Sequence, residues 1–371
     1  MFHIIITLDY ELPSGGQGDV RHHMIEPTNR LFEVCEELGA KVTIMVEMGE
    51  LWAFEKAENA GFKERLGYEP AIEIKEQLVG AIMRGHDVQF HLHPQWINAR
   101  WSGTCWDLDY AHYHLTDFDD TEAINLLRTG KKDLEVLLRP HRSDYECVGF
   151  RAGHWNTQPS EKYLRILRDA GLKSDTSVFK WGYANTSVVT FDYRDAYSNT
   201  QAWYAQDDDI NQCASGKGIL EVPIATELTR SFKMLTPKRL WLARNYLRED
   251  GRISAGIHEA KKNGANSPGP ISKLQHIFDR YPKKLDFCKL TGRQMSRMVK
   301  NLMRENQNQQ NALPVPLVMI GHSKQVGTGK ALSRFLRISS EQFGSTIRFS
   351  TYCEFIQSYI LQITQDRIAK I

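Results

Sequence analysis

The chain has 371 residues, and its 47 Lys and Arg nearly balance its 45 Asp and Glu, giving a formal net charge of +2. This balance, without a long basic stripe, argues against a nucleic-acid partner. The six cysteines form no Cys-x-x-Cys pair, which argues against a zinc ribbon and against a disulfide framework. A chain of this length can bury a complete α/β core, either as one large domain with insertions or as two small domains.

The start of the sequence predicts a cytoplasmic protein. Strand-like residues begin at Phe2, which leaves no room for a basic and apolar secretory signal before the fold begins. No apolar run approaches the roughly 20 residues that a bilayer-spanning helix needs. Scattered cysteines agree with a reducing compartment. We therefore expect a cytoplasmic protein with no transmembrane segment, and the sequence leaves its oligomeric state open.

Short apolar segments predict strands, and helix-like segments lie between them. Strands are predicted at Phe2–Leu8, Lys41–Val46, Asp87–Leu92, Glu146–Arg151, Gly218–Pro223, Val315–Ile320 and Thr346–Ser350. Helices are predicted at Thr28–Leu38, Ile72–Met83, Thr121–Leu138, Ser160–Ala170, Thr236–Glu249, Thr291–Glu305 and Tyr352–Gln362. The strands are rich in Ile, Val and Phe without strict alternation, which is typical of strands covered on both faces. The order of elements predicts an α/β fold with a parallel sheet or barrel.

Two segments interrupt this alternation. Gly264–Pro270 is rich in turn residues, and Asn306–Asn311 is a polar tract that predicts a surface loop. Neither resembles a domain linker, because the polar strand end at His322 follows both of them. We therefore expect a single domain over residues 1–371, with insertions around residues 94–120 and 225–312.

The first strand ends in a pair of acids, Asp9 and Glu11. One residue separates them, so both carboxylates project from the same face of the strand. Two carboxylates this close repel each other unless they bind a cation or share a proton. The alternative is a solvated strand end with a chance acidic pair, but the preceding residues Ile4–Ile6 indicate burial.

His91 and His93 repeat this spacing at the end of the predicted strand Asp87–Leu92, just before Pro94. Neutral imidazoles bind zinc and similar ions, and a mixed set of histidines and carboxylates with one open position is the arrangement of catalytic sites. A lone buried histidine is usually a hydrogen-bonded core residue. Two on one strand face, beside a strand with paired carboxylates, favour a metal site.

Two later strand ends suggest the surroundings of that metal. Arg151 follows Val148–Phe150, where a guanidinium could hold a nearby carboxylate ionised and correctly oriented. His322 follows the apolar run Leu317–Gly321, and an imidazole there suits general acid chemistry near neutral pH. Asp175 is a candidate to tune that imidazole, although Asp-Thr-Ser is also a common capping sequence.

Aromatic residues near these segments are candidate sugar-binding groups, because flat rings can stack on the apolar face of a pyranose. Trp96 and Trp101 follow the histidine pair within a loop-like stretch, and Trp155 follows Arg151. The alternative for each ring is that it covers the core.

Taken in chain order, these segments resemble the polysaccharide deacetylases that share the NodB homology domain, a carbohydrate esterase type, as a divergent branch. The resemblance runs from Thr7 to His322 and implies a distorted (β/α) barrel with insertions and one divalent ion. The ion is usually zinc, with cobalt, nickel and manganese as alternatives. The residues carried over are Asp9 as base, Glu11 and His91 as metal ligands, and Arg151, Asp175 and His322 in the catalytic set.

This chain also departs from the family pattern. It has Asp9-Tyr10-Glu11 where the family usually has adjacent aspartates or Asp-x-Asp. The family spaces its two histidines four residues apart, whereas here His93 lies two residues after His91 and Gln95 holds the later position. The second histidine ligand is therefore His93 or another group, and His154 is a further residue that could approach the site.

The resemblance implies a metal-dependent hydrolase of linear amides that deacetylates a sugar or a surface-glycan precursor. An N-acetyl group is favoured over an O-acetyl group. Two alternatives stay open: an inactive relative that binds glycans, and an amidase that uses the same ion on a non-sugar amide. A phosphate-binding loop at Gly327–Lys330 is excluded, because Lys324 and Ala331 occupy the positions that require Gly and Ser or Thr.

Overall fold

The computed structural model describes residues 1–13, 15–57, 61–186, 188–214, 216–230, 280–307 and 313–368. The predicted helix Thr236–Glu249, the connector Gly264–Pro270 and most of the polar tract Asn306–Asn311 lie outside the described residues. The chain divides into two compact units, residues 1–226 with 284–371, and residues 227–283. In the second unit, the described residues belong to a two-stranded sheet in which Lys283 pairs with Glu227.

Strands and helices alternate along the described part of the chain. The strands are β1 Phe2–Tyr10, β2 Val42–Glu47, β3 Asp87–Leu92, β4 Arg100–Trp101, β5 Trp106–Asp107, β6 Gly149–Ala152, β7 Ser174–Asp175, β8 Gly182–Asn185, β9 Thr190–Tyr193, β10 Trp203–Tyr204, β11 Leu220–Glu221, β12 Thr226–Arg230, β13 Arg280–Lys284, β14 Val315–His322 and β15 Ile347–Phe349. The α-helices are α1 Glu26–Glu37, α2 Met48–Ala57, α3 Phe62–Leu66, α4 Pro70–Met83, α5 Asp120–Leu138, α6 Ser160–Asp169, α7 Gly292–Asn306, α8 Lys330–Phe343 and α9 Tyr352–Ile368. A π-helical turn at Arg21–Ile25 precedes α1, and 3-10 turns follow β3, β6 and β14 at Pro94–Trp96, Gly153–Trp155 and Ser323–Gln325.

The main sheet has the order β10-β11-β7-β6-β3-β2-β1-β14, with β15 paired to the start of β1. Beyond β11 the sheet closes on itself, because the Ala225 N–H donates to the Val318 carbonyl of β14 at 3.1 Å. Leu285 lies between these segments: its N–H donates to Ala225 at 2.8 Å, and its carbonyl accepts from Ile320 at 2.9 Å. The strands therefore form a distorted (β/α) barrel, which confirms the predicted fold class.

Burial explains why these sequences form the barrel wall. All residues of β2 and β3 are buried, and Ile4, Ile5 and Ile6 of β1 are fully excluded from solvent. Continuous apolar strands of this kind need cover on both faces, which the interior of the barrel and the outer helices supply. Within the described part of the chain, no helix is both long enough and apolar enough to cross a membrane.

Candidate active site

Strand register brings polar side chains from five strands to one end of the barrel. Asp9 in β1 lies opposite His322 in β14. Glu47 at the end of β2 lies opposite His91 in β3, and His91 in turn lies opposite Arg151 in β6. Because these strands are parallel, their carboxyl ends meet at one face, which is where (β/α) barrels hold their active sites.

Two histidines and two glutamates converge at this face. One ligand atom from each of Glu11, Glu47, His91 and His93 lies within 4.8 Å of the others. His91 Nε2 is 3.5 Å from Glu11 Oε2, and His93 Nε2 is 3.4 Å from the same oxygen. Glu47 Oε2 is 3.9 Å from His91 Nε2. Imidazole nitrogens and carboxylate oxygens are ligands of zinc and similar ions, so the cluster could hold a divalent metal.

Hydrogen bonds from outside the cluster orient its members. His91 Nδ1 donates to the Arg151 carbonyl at 2.9 Å, which leaves Nε2 facing the cluster. The Glu47 carboxylate accepts from the backbone N–H of Gly49 at 2.9 Å and from that of His93 at 2.7 Å. The ends of β2 and β3 are therefore tied together at the site.

The two carboxylate oxygens of Glu11 face different groups, a lysine and the histidines of the cluster. Lys324 Nζ lies 3.0 Å from Oε1, while Oε2 faces the two histidines. The Ser323 hydroxyl also donates to the Glu11 carbonyl at 2.9 Å. Burial raises the pKa of the Glu11 carboxyl, but Lys324 and His93 outweigh this effect and hold that pKa well below its usual range. Glu11 is therefore ionised.

Burial and close contact shift the pKa values of the groups in and around the cluster. Burial raises the pKa of Glu47 to about 8, and burial together with Glu47 raises that of Glu50 well above its usual range. Burial alone would lower the pKa of His91, but Glu11 and the neighbouring carboxylates raise it to about 9. His91 therefore holds a proton that a metal ion would displace. The donor set fits a divalent ion.

The second histidine is oriented by Gln95. His93 Nδ1 lies 3.4 Å from Gln95 Nε2, which is also 3.2 Å from His154 Nε2. Gln95 Oε1 is buried and has no hydrogen-bond partner among the described residues. Rotating the amide by half a turn would let Oε1 accept from His93 Nδ1–H and leave His93 Nε2 for a metal. His154 thus approaches the site through Gln95 and His93.

Asp9 and Arg151 form the buried ion pair that the sequence predicts. The guanidinium of Arg151 is fully buried and bonds to Asp9 Oδ1 through one Nη, while its Nε donates to the Thr176 carbonyl at 3.0 Å. Burial raises the pKa of Asp9, but Arg151 and then His322 reverse this, and the net pKa is lowered. Asp9 is therefore a fixed, ionised carboxylate beside the cluster.

His322 lies between the two acids of β1. Its Nε2 is 3.5 Å from Asp9 Oδ2 and 3.8 Å from Glu11 Oε1. Burial lowers the pKa of the imidazole, although Asp9 and Glu11 act in the opposite direction. Nδ1 is buried and has no hydrogen-bond partner among the described residues. His322 therefore faces the site with Nε2 and with no orienting partner behind it.

Asp175 does not make the predicted contact with His322. Its carboxylate accepts from the Tyr163 hydroxyl at 2.6 Å and from the Ser177 hydroxyl and N–H, both at 2.9 Å. Burial and Asp175 raise the pKa of Glu221, its register partner in β11, well above the usual range, which favours the protonated form of that carboxyl. The predicted pairing of Asp175 with His322 is corrected: Asp175 belongs to a hydrogen-bond network of its own.

Two of the predicted sugar-binding rings pack inside an aromatic cluster. For Trp96 this corrects the prediction. Trp96 is 3% exposed and packs edge-on against Phe54 and Trp106, so its faces cannot reach a sugar. Trp101 packs against Phe62 at 4.7 Å and against Trp106 at 5.3 Å between ring centroids. Both rings stabilise the loop after β3, because α2 and α3 supply aromatic partners that sequence position alone does not reveal.

Trp155 is the predicted ring that lies beside the catalytic candidates. Its ring centroid is 6.4 Å from that of His322, and the Lys284 ammonium covers its face at 3.3 Å. His154 and Trp155 have φ angles of 55° and 54°, the left-handed region that non-glycine residues rarely adopt. Gly153, just before them, is required, because an added Cβ would lie 2.6 Å from His93 Cδ2. The turn after β6 is thus strained and packed directly onto the site.

Sequence reasoning missed Glu47. It directly follows the predicted strand Lys41–Val46, as His322 follows its own apolar run. Asp9 with Glu11, and His91 with His93, were identified because each pair is two residues apart on a strand. Glu47 has no polar residue two positions away, so this criterion did not identify it. Its position at a strand end was the available signal.

No protein-family model matches the sequence, and a comparison with curated proteins finds no match. The chain is similar in structure to a protein assigned as a polysaccharide deacetylase from Mycobacterium smegmatis, with 10% identity, a TM-score of 0.47 and coverage of 97% of this chain and 90% of that one. It is similar to the peptidoglycan deacetylase PdaC from Bacillus subtilis, with 10% identity, a TM-score of 0.34 and coverage of 100% and 96%. It is also similar to the PuuE allantoinase, with 11% identity, a TM-score of 0.46 and coverage of 96% and 90%.

Polysaccharide deacetylases are thus among the solved structures that this chain is similar to, as the sequence resemblance predicts. Identities and TM-scores this low assign neither an activity nor a residue's role to this chain.

Proposed function

We propose that this protein is a metal-dependent hydrolase that removes an acetyl group from a sugar or a surface-glycan precursor, an N-acetyl group in preference to an O-acetyl group. One observation carries the proposal. Ligand atoms of Glu11, Glu47, His91 and His93 converge within 4.8 Å, next to the ionised Asp9. Buried acids and imidazoles that face each other in this way suit a cation and a hydrolytic reaction.

Glu11, His91 and His93 would hold the ion, with Glu47 as a further ligand. Two imidazole nitrogens with carboxylate oxygens favour zinc, and cobalt, nickel and manganese accept the same ligands. When bound, such an ion supplies a Lewis acid that polarises an acyl oxygen and lowers the pKa of water to about 7. Burial lowers the pKa of His93 well below its ordinary 6.5, so its imidazole is in the neutral form that binds metals.

Asp9 is the proposed base. Arg151 holds one of its carboxylate oxygens, Oδ1, and leaves Oδ2 toward His322 and the site. Because Asp9 stays ionised and its orientation is fixed, it can accept a proton from water as the water attacks the acyl carbon. Arg151 acts through Asp9 and is a positioning residue. General base catalysis by such a group contributes about 10²- to 10⁴-fold to a rate.

His322 is the proposed acid. Since burial lowers its pKa, the imidazole is neutral before the reaction and must gain a proton. Asp9 Oδ2, at 3.5 Å from Nε2, is suited to pass on the proton that it takes from water. His322 Nε2 can then give this proton to the leaving nitrogen, which departs as an amine. The catalytic role of Asp175 stays a prediction, because no contact joins it to these groups.

The substrate side of the proposal rests on fewer contacts. Trp155 is a ring next to His322, so it is the residue we expect to border a sugar. A sugar role for Trp101 stays a prediction. The cytoplasmic location also stays a prediction, and with it the expectation that the substrate is a precursor in surface-glycan synthesis.

Elemental analysis of the purified protein beside His91→Ala tests the proposal. We expect about one equivalent of a transition metal in the wild type and none in the variant, followed by acetate release from N-acetylated sugars by the wild type. Full metal content without acetate release, but with cleavage of non-sugar amides, would favour the amidase alternative. No metal after reloading would exclude the hydrolase and leave a glycan-binding protein.

A further inference from the structure

Lys284 brings an ammonium group to the wall of the candidate active site. It ends β13, and the next residue, Leu285, hydrogen-bonds to Ala225 and to Ile320 where the barrel closes. Its Nζ lies 3.3 Å above the Trp155 ring centroid and 4.0 Å from that of Phe179. Trp155 borders His322, so the ammonium lies in the wall beside the proposed acid.

Lys284 differs from the other cations around the site. Arg151 pairs with Asp9, and Lys324 pairs with Glu11. The neighbouring Lys289 lies 3.1 Å from Asp286 Oδ2. The Lys284 ammonium has no hydrogen bond or ion pair to a described residue, and it lies over two aromatic rings. Ring faces attract an ammonium and position it, but they leave its N–H donors without an acceptor oxygen.

Lys284 is half-buried, so an acceptor can still reach its ammonium. Burial lowers the pKa of Lys284 to about 7, Lys289 adds to this effect, and Asp286 and Asp9 oppose it. A negatively charged ligand would reverse the shift and restore the full charge. The two rings therefore position an ammonium that an anionic oxygen could bind.

We propose that Lys284 binds an anionic oxygen of the substrate, so that the preferred substrate is an acidic acetylated sugar rather than a neutral one. The carboxylate of a uronic acid and the phosphate of an activated sugar share this chemistry. This inference rests on the proposed function for its sugar, but the anion site itself does not depend on turnover.

Inorganic phosphate is the probe for the anion site, titrated into the full-length protein by calorimetry at constant ionic strength. We expect Lys284→Met to weaken phosphate binding about 10- to 100-fold, since hydrogen bonds to charged groups have this value. Lys284→Arg should keep most of the affinity. Lys289→Met is the matched control, because it removes an equal charge five residues away, and it should bind phosphate as the wild type does.

The same titration in a His91→Ala background separates this site from the proposed metal. Phosphate binding that still depends on Lys284 there supports the anion site without any metal. Equal phosphate affinity in the wild type and Lys284→Met, with both proteins folded by thermal unfolding, would overturn the inference. So would a wild type that binds no phosphate at millimolar concentrations.

The substrate preference is then measured as acetate release. For Lys284→Met, we expect the ratio of kcat/KM on acidic to neutral N-acetylated sugars to fall about 10- to 100-fold. An unchanged ratio would overturn the assignment of an acidic substrate. If neither substrate releases acetate in the wild type, the proposed function fails, and the phosphate titration alone decides on the anion site.

Discussion

Both ends of the barrel carry buried histidines and acids, but among the described residues it is those at the carboxyl end that converge into a cluster that fits a metal ion. At the amino end, β1 carries His3, and His86 immediately precedes β3. His3 Nδ1 is 3.0 Å from the Ser350 hydroxyl. His86 Nδ1 accepts from the Val42 N–H at 3.1 Å, and its Nε2 lies 2.8 Å from Glu36. Both histidines therefore have hydrogen-bond partners: the Ser350 hydroxyl for His3, and the Val42 N–H and the Glu36 carboxylate for His86.

The buried acid of the amino end is satisfied in the same way. Asp87 accepts from the Thr43 hydroxyl at 3.3 Å, from the Gln89 amide at 2.9 Å and from the Cys353 N–H at 3.0 Å. At the carboxyl end, by contrast, the carboxylates of Glu11 and Glu47 both lie within 4 Å of the same imidazole nitrogen, His91 Nε2. A buried histidine or acid is thus a functional candidate when it converges with other ionisable side chains, and residue type alone does not decide.

The largest expected difference between the two ends is in turnover. Asp9→Asn removes the proposed base and should lower the rate of acetate release about 10²- to 10⁴-fold. Asp87→Asn is the matched change at the amino end and should leave the rate within a few-fold while lowering stability, since it disturbs three hydrogen bonds. Initial rates and thermal unfolding of both variants test this. Similar rates for the two would remove the functional distinction between the ends.

The next largest effect is on stability at the carboxyl end. Arg151→Met leaves Asp9 buried without its partner and should cost about 3–5 kcal/mol in the free energy of unfolding. Adding Asp9→Asn removes the stranded charge, so the double variant should recover part of this loss. Urea unfolding of the two single variants and the double variant measures the coupling. Strictly additive losses would mean that the two side chains do not interact.

His3, at the amino end, should make its own contribution to the acid sensitivity of the protein. Burial, with help from Arg348, lowers the pKa of His3 from its ordinary 6.5 to about 4. The unfolded chain therefore binds more protons between these values, so the stabilisation is complete above pH 6.5 and is lost as the pH falls toward 4. The loss should be at most about 3 kcal/mol.

Chemical unfolding at pH 7, 5 and 4 checks this, with His3→Asn as the comparison. The variant should be less sensitive to acid over the same range and should keep its metal content at pH 7. An equally steep acid dependence in His3→Asn would assign the effect to other groups.

The smallest expected effect concerns two glutamines near the ends of β3. Gln95→Leu removes the partner of His93 and should weaken metal binding about 10- to 100-fold, as outer partners of metal ligands commonly do. Gln89 instead accepts from the N–H groups of Val148 and Gly149, at 2.9 and 2.8 Å. Gln89→Leu should therefore lower stability and leave metal affinity unchanged. Competition with a chelator measures both affinities, and equal losses would contradict the assigned roles.

The sequence was sufficient for the elements whose signal is local. Apolar runs located the strands, and β3 has the predicted bounds Asp87–Leu92. Pairs two residues apart identified Glu11 with Asp9 and His93 with His91, since alternation along a strand fixes their face. Helix α2 was missed because it begins directly after β2, with no capping residue or proline before Met48.

Features that depend on register between distant strands could not be predicted. Glu47 joins the cluster because β2 pairs with β3, and this pairing forms between segments about 40 residues apart. Asp175 bonds to Ser177, two residues along the chain, and to Tyr163 of α6, and the second contact depends on how α6 packs against β7. The burial of Trp96 likewise depends on Phe54, which comes from the helix that was missed.

The strained turn after β6 has a consequence for laboratory evolution. His154 and Trp155 each hold a backbone conformation that costs a non-glycine residue about 1–3 kcal/mol. A library screened only for heat resistance should therefore accumulate glycine at these two positions, because glycine adopts this conformation without that penalty. Such variants would lose the rings that adjoin His93, His322 and Lys284. At these two adjacent positions, the substitution that raises thermal stability would also remove a side chain that shapes the site.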